Sequence, residues 1–303
     1  MIRTVLGDIR KEDLGKTMCH EHFIVDLTRV RKDGVSKIET VEEVVPEIKK
    51  MMELKVEAAI EVTTIDLNRD VLKLKEICEQ TGLKIVCSTG YYLDPYHPQW
   101  LNEATVEEIA EVYIKELTQG IEDTGIKAGI IAEIASSPEG FIGNERKILQ
   151  AAGLAASKVG CAVSTHTGKE VAKETVEILL SYGMNPDKII LGHQDLIDDS
   201  LYHLELLKMG INLAFDTCGK TAYQSDEVRA ANLFKIIKAG YGDHIMVSND
   251  VSRRSYFVSN GGQGYLTAYK KVLPLLKEMG ATEEDIEKIS TKNPARILAN
   301  RWK

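Results

Sequence analysis

The 303-residue chain is long enough for one large barrel or two ordinary domains. Its formal net charge is −8, and it contains no basic run, which argues against nucleic acid and anionic membranes as partners. The 5 cysteines are odd in number and form no C-x-x-C pair, so neither a disulfide framework nor a zinc finger is indicated. No segment reaches the roughly 20 apolar residues that span a bilayer. The N-terminus also lacks an apolar signal region, so we expect a cytoplasmic protein.

Short apolar segments alternate with amphipathic helical segments along the chain. The predicted strands, rich in Val, Ile, Ala and Cys, are 17–26, 56–63, 83–90, 126–135, 160–166, 188–193, 211–216 and 244–250. The predicted helices are 40–55, 70–80, 105–118, 144–158, 170–182, 201–208, 226–239, 265–279 (kinked at Pro274) and 282–289. Several strands are continuously apolar, as expected of parallel strands covered by helices. Eight strands, each followed by a helix, predict an α/β fold, a (β/α)8 TIM barrel, as a single domain over 1–303.

Six potential metal ligands lie in or at the ends of these strands. They are His20 and His22 in the first strand, and Glu133, His166, His193 and Asp250 near the ends of later strands. Side chains two apart in a strand share a face, so the H-x-H pair points one way. A lone histidine is usually a core residue, but four histidines with two carboxylates predict a two-metal site at the C-terminal ends of the strands.

Three further residues near these motifs are expected to be structural. We expect Glu21 to face away from the barrel axis and to pair with an outer helix. Asp195 should lie nearer solvent, as a supporting or loop residue rather than a ligand. His97 is expected on the surface of the loop after the third strand.

The loops supply candidate substrate-binding residues. Tyr91 and Tyr92 follow the third strand and are predicted to line the pocket, although plain packing is an equal alternative. Arg253 and Arg254 directly follow Asp250, where one of them would bind a carboxylate or phosphate unless it forms a surface salt bridge. Lys220 either reaches the site or caps a loop. The cationic pair Arg253–Arg254 in an acidic chain predicts a small-molecule substrate that carries an anionic group.

Several motifs together make the chain resemble the phosphotriesterase family of the amidohydrolase superfamily, and within it the phosphotriesterase homology proteins. They are MCHEH (18–22), STGYY (88–92), KAGIIAEI (127–134), STHT (164–167), GHQD (192–195), FDTCGK (215–220), SNDVSRRS (248–255) and NGGQGY (260–265). The resemblance covers nearly the whole chain. It implies a hydrolase barrel with a binuclear centre and makes a homodimer plausible.

The resemblance also implies a role for each ligand. His20, His22 and Asp250 would hold the buried metal, His166 and His193 the exposed one, and Glu133 would bridge both in place of the family's carboxylated lysine. Zinc is expected, with manganese and cobalt as alternatives. The expected reaction is attack of a metal-bridging hydroxide on a small carboxylic or phosphoric ester or lactone, with Asp250 as the proton shuttle.

Three alternatives stay open. The first is an amidase acting on N-acyl amino acid-like substrates. A deaminase is disfavoured, because a mononuclear deaminase has no need of a bridging Glu133. A non-catalytic metal-binding barrel is disfavoured by the complete ligand set.

Overall fold

A parallel eight-stranded sheet forms the centre of the protein in a computed structural model that describes residues 1–302. Its strands β1–β8 are Thr17–Glu21, Ala58–Glu61, Lys84–Thr89, Ile130–Ala135, Val163–His166, Ile189–Gly192, Asn212–Phe215 and Ile245–Val247. Neighbours in the chain are neighbours in the sheet. The sheet curls until β8 meets β1, where the backbone N–H of His20 donates to Ser248 Oγ at 3.1 Å. The predicted (β/α)8 barrel is confirmed.

Helices follow the strands and cover the outside of the barrel. Helices α1–α10 are Val41–Met52, Val71–Thr81, Val106–Thr118, Glu145–Val159, Lys169–Ser181, Ser200–Leu207, Asp226–Lys238, Leu273–Glu278, Glu283–Glu287 and Asn293–Leu298. Capping boxes start α1 at Thr40 and α3 at Thr105. Near Pro274 the predicted long helix divides into a π-helical turn, Ala268–Val272, and α8.

Shorter elements lie mostly in the connections. They are the four-residue helix Thr28–Arg31, a second π-helical turn Lys288–Lys292 and the 3₁₀ turns Lys11–Asp13, Ile65–Leu67, Asp94–Tyr96, Gln99–Asn102, Pro186–Lys188, Gln194–Leu196, Gly242–His244, Arg254–Tyr256 and Val258–Asn260. An N-terminal hairpin pairs Ile2–Thr4 with Gly7–Ile9. No helix within residues 1–302 has the length and apolar character that a membrane crossing needs.

The first strand is shorter than the sequence predicts. It ends at Glu21 rather than residue 26, and Val25–Asp26 instead pairs antiparallel with Lys37–Ile38. Expecting one continuous strand was wrong because the apolar run Phe23–Val25 is buried in a separate hairpin, not in the barrel ladder. His22 therefore lies just beyond the end of β1.

The barrel interior is filled with small and branched side chains. One buried cluster combines Cys19, Ile60, Val86, Ile130, Ala132, Ala162, Ile190, Ala214 and Met246 from the strands with Ile2, Leu14, Ile297 and Leu298 from the two chain ends. The terminal segments pack with the strands, and the polar candidate ligands lie toward the carboxyl ends of the strands, where barrel active sites form. All five cysteines are buried and free.

Candidate metal centre

The structure brings the six predicted ligands together. Glu133 Oε1 lies 2.8 Å from His166 Nδ1, 3.0 Å from His193 Nε2 and 3.4 Å from His20 Nε2. Asp250 Oδ1 lies 3.3 Å from His22 Nε2. Two overlapping groups of side chains, His20–His22–Asp250 and His20–Glu133–His193, place their donor atoms within 4.8 Å of one another.

Register shifts and left-handed backbone conformations help to orient these side chains toward one another. The strand register shifts between Met18 and Glu21 in β1 and between Ile131 and Ile134 in β4. Such shifts redirect side chains and are common beside active sites. His193 and Asp250 adopt left-handed backbone conformations, with φ of 58° and 50°. A residue other than glycine rarely takes this conformation, and such residues cluster at functional sites.

The donor set fits divalent metal ions. His20 is fully buried, and its Nε2 has no hydrogen-bond partner in the structure. Burial alone would raise the pKa of Glu133, but charge on His20 and His166 holds it well below its usual range. Glu133 is therefore an ionised carboxylate, only 2% exposed, among imidazoles. Imidazole and carboxylate donors suit zinc and neighbouring divalent ions.

The Asp216 carboxylate contacts the Nδ1 atoms of two of the predicted histidine ligands. Its Oδ1 lies 2.8 Å from His193 Nδ1 and accepts the backbone N–H of His193 at 2.9 Å, and its Oδ2 lies 3.0 Å from His20 Nδ1. Burial lowers the pKa of His193, but Asp216 and Glu133 together outweigh this effect and raise it to about 10. A carboxylate behind a metal-binding histidine fixes its ring orientation and tautomer. We did not predict this role, although Asp216 ends a strand-like run just as the ligands do.

Thr63 supports His22 in a similar way, and we did not predict this role either. Thr63 Oγ1 lies 2.9 Å from His22 Nδ1, and the Thr63 hydroxyl donates to the buried carboxylate of Glu61. Each ring in the H-x-H pair is therefore positioned by a polar group at its Nδ1.

Two structural expectations need correction. Within residues 1–302 Glu21 forms no ion pair with a helix; instead it accepts hydrogen bonds from Ser248 Oγ at 2.7 Å, Asn249 N at 2.8 Å and Val251 N at 3.0 Å. The prediction was wrong because β1 and β8 are not joined by a continuous backbone ladder. The Glu21 side chain instead links the two strands. Its carboxylate thereby fixes the segment on either side of Asp250.

Asp195 is also placed differently from the prediction. It is 1% exposed rather than near solvent, because Arg229 Nε donates to it at 2.6 Å from helix α7. Asp195 also accepts the backbone N–H groups of Asp216 and Thr217, each at 3.2 Å. It therefore holds the segment that carries Asp216.

The loop after β3 separates its two tyrosines. Tyr92 Oη lies 3.3 Å from His166 Nδ1 and faces the metal cluster. Tyr91 packs against Trp100 and Tyr113 and lines neither cavity at the site. His97 is not on the surface: its side chain is 3% exposed, and its Nε2 lies 2.9 Å from the Tyr92 carbonyl oxygen.

The two predicted substrate arginines lie outside the cavities. Arg254 Nε donates to Glu43 Oε2 at 2.7 Å, so it forms the salt bridge that was the alternative. Arg253 lies 6.0 Å from the centre of the Tyr256 ring. Lys220 does reach the site, where its Nζ pairs with Asp250 Oδ2.

Two cavities meet at the cluster. The inner cavity, of about 30 Å³, is lined by candidate ligands, by Tyr92 and by Leu27 and Arg31 from the segment after β1, among others. An outer one of about 300 Å³ is lined by His166, Leu196, Ile197, Lys220, Tyr223 and others. A larger groove of about 530 Å³ near Arg69 has none of the candidate ligands in its lining.

Comparison with known proteins assigns the chain to a family. The model of the phosphotriesterase family matches residues 1–298. The phosphotriesterase homology protein of Escherichia coli is 32% identical over 94% of this chain and 98% of its own length. The N-acetyltaurine hydrolase of Xenopus tropicalis is 30% identical over 98% of this chain and 97% of its own. The crystal structure of a lactonase from Listeria monocytogenes superimposes with a TM-score of 0.93 at 26% identity, covering 99% of each chain. On its motifs, fold and sequence similarity, the chain belongs to the phosphotriesterase family.

Proposed function

We propose that this chain is a binuclear-metal-dependent hydrolase of a small carboxylic or phosphoric ester, lactones included. As a member of its family it is a hydrolase acting on esters, and metal dependence is typical of that family. The observation that carries the binuclear proposal is the cluster of four imidazoles and two carboxylates around His20, buried except for the half-buried His166. Within residues 1–302, His20 Nε2 has no hydrogen-bond partner.

The six side chains divide into two ligand groups. His20, His22 and Asp250 would hold one ion, His166 and His193 the other, and Glu133 would contact both. When bound, two divalent ions lower the pKa of water and polarise the oxygen of the carbonyl or phosphoryl group under attack. The histidine-rich set favours zinc, with manganese and cobalt as alternatives.

Asp250 is the residue we propose to move the proton. Burial alone would raise the pKa of Asp250, but the Lys220 ammonium and the hydrogen bond from His22 hold it well below its usual range. The carboxylate is thus ionised before reaction. Since Oδ1 faces His22, we assign proton uptake to Oδ2, beside Lys220 and the outer cavity, for delivery to the leaving group.

Tyr92, rather than Tyr91, is the aromatic residue we propose to contact the substrate. Burial raises the pKa of Tyr92 well above its usual range, so its hydroxyl stays protonated. It lines the inner cavity and can donate a hydrogen bond to a substrate oxygen there.

An amidase is the second candidate function, favoured by the N-acetyltaurine hydrolases among the relatives. The same residues would serve both reactions. An amine is a poorer leaving group than an alkoxide, so an amidase would depend more strongly on proton delivery by Asp250.

The deciding experiment combines metal analysis with a substrate screen. Protein loaded with zinc is assayed against lactones, aryl esters, N-acyl amino acids, N-acyl sulfonates, phosphomonoesters and phosphotriesters, with Glu133→Gln as the inactive control. We expect two metal equivalents and turnover of an ester or lactone. A firm single equivalent at saturation contradicts the binuclear centre, and turnover of amides alone selects the second candidate. The homodimer stays a prediction, which light scattering would check.

A further inference from the structure

Arg31 occupies a position that the reaction described above does not use. Among residues 1–302, four line both the inner and the outer cavity: Arg31, His166, His193 and Asp250. Three of them are candidate metal ligands. Arg31, at the end of the short helix Thr28–Arg31, is the fourth and lies at the junction of the two cavities.

The guanidinium of Arg31 is free to bind a ligand. Within residues 1–302 it forms no ion pair, and its one side-chain hydrogen bond is a long 3.5 Å contact with Ser36 Oγ. The carboxylates that face the cavity already have partners, because Glu133 contacts His166 and His193, and Asp250 pairs with Lys220. Arg31 is therefore not needed to neutralise them.

Local hydrogen bonds give the loop that carries Arg31 a fixed shape. The Asp26 carboxylate accepts the backbone N–H of Thr28 at 2.9 Å and its hydroxyl at 2.6 Å, which starts the short helix. Beyond Arg31, Asp33 accepts the N–H of Ser36 at 2.7 Å and its hydroxyl at 2.8 Å. The ladder between Val25–Asp26 and Lys37–Ile38 closes the base of this hairpin.

Neighbouring loops hold the hairpin over the site. Tyr96 Oη donates to the Leu27 carbonyl at 3.0 Å, and Arg254 N donates to the Val35 carbonyl at 2.9 Å. The Arg254 side chain also pairs with Glu43 at the start of helix α1. Arg254, predicted to bind substrate, thus anchors the hairpin that presents Arg31.

We propose that Arg31 is a specificity-determining residue that binds an anionic group of the substrate, a carboxylate, phosphate or sulfonate, beside the scissile bond. The proposal rests on the hydrolase function proposed above. The planar guanidinium forms two parallel hydrogen bonds to such oxyanions, which fixes the orientation of the bound group. Bound in this way, the anion lies at the junction of the cavities, and the scissile bond points toward the metal centre.

The test compares Arg31→Met with Lys32→Met, which removes the same charge from the adjacent, exposed position. Each is assayed on pairs of esters that share a scissile bond, one bearing a carboxylate, phosphate or sulfonate and the other its neutral methyl ester or amide. For Arg31→Met we expect KM to rise roughly 10- to 100-fold on the preferred anionic ester, with little change in kcat or on the neutral ester. Lys32→Met should change neither, and Arg31→Lys should recover part of the affinity.

A binding measurement separates this proposal from the hydrolase proposal. Calorimetry on metal-free protein measures binding of acetate, inorganic phosphate and methanesulfonate, and its three arms identify the preferred anion. Loss of binding in Arg31→Met but not in Lys32→Met supports the anion site even if no substrate is turned over. Equal rises in KM for anionic and neutral esters, or unchanged anion binding in both Arg31→Met and Arg31→Lys, would overturn it.

Discussion

The ligand cluster and the surrounding loops were predicted with very different success. All six predicted ligands lie together at the ends of barrel strands. Of the two tyrosines and two arginines predicted to bind substrate, only Tyr92 faces a cavity at the site, although Lys220 lines the outer cavity. Arg31, which we did not predict, lines both cavities. The barrel itself brings strand ends together, whereas contacts between loops decide which loop residues face the site.

The two regions also differ in how firmly they are held. Each histidine of the H-x-H pair has a polar group at its Nδ1, and Asp250 lies within a segment fixed by Glu21. Arg31 has one long hydrogen bond on its side chain. Substitutions in the cluster should therefore disturb several groups at once, and substitutions in the loops should act locally.

Glu133→Gln is the strongest test of the cluster. Because the Glu133 carboxylate touches three imidazoles, its loss should lower metal content and abolish measurable turnover together. Elemental analysis and kcat/KM on the same samples check this. The control is Glu47→Gln. Glu47 is another buried carboxylate, but it lies in helix α1 and accepts the backbone N–H groups of residues 258 and 259, so this variant should retain metal content and activity. Full metal content and activity in Glu133→Gln would mean that Glu133 is only a buried structural residue.

Asp250→Asn should produce a loss that depends on the substrate. The amide keeps the size of the side chain but cannot take up the proton, and general acid–base roles contribute about 10²–10⁴-fold to kcat. A series of aryl esters with leaving groups of rising pKa measures the dependence, and the poorest leaving group should lose most. An equal, small loss across the series would leave Asp250 as a ligand without a proton-transfer role.

Asp216→Asn asks how far the cluster depends on its supporting residues. Asparagine retains one acceptor oxygen where the carboxylate serves both His20 and His193, so one ring loses its partner. Such changes typically cost about 10–100-fold in metal affinity or activity. Competition with a zinc chelator measures the affinity. Glu47→Gln, which changes a buried carboxylate bonded to the 258–259 backbone, is the control. If Asp216→Asn keeps the zinc affinity of the parental protein, His20 and His193 are oriented without Asp216.

The sequence reveals which residues end strands but not how the backbone bends at those ends. The register shifts in β1 and β4 and the left-handed conformations of His193 and Asp250 arise from tertiary contacts, such as the hydrogen bonds from Ser248 and Asn249 to Glu21. The position of Asp216 in its motif was visible, and its role could have been predicted. The role of Arg31 could not, since it depends on Tyr96 and Arg254 meeting a hairpin far away in sequence.

The smallest expected effect is on the pH dependence of stability, and it comes from Asp66, which supports the loop that carries Tyr92. Its carboxylate accepts the backbone N–H of Tyr92 at 3.0 Å and the hydroxyl of Thr64 at 2.6 Å, and burial raises the pKa of Asp66 to about 7. Between about pH 4 and pH 7 the folded protein therefore holds a proton that the unfolded chain has released. The free energy of unfolding should fall as the pH rises through that window, by at most about 1.4 kcal/mol per pH unit from this group.

Asp66→Asn should remove that part of the pH dependence, because the amide does not titrate. Urea unfolding of metal-free protein at several pH values between 4 and 8 measures the slope. Asp123→Asn, at an exposed position, should keep the parental slope. A slope that is unchanged in Asp66→Asn would mean that Asp66 is ionised in the folded protein. The backbone N–H of Tyr92 would then donate to a charged carboxylate rather than to a protonated one.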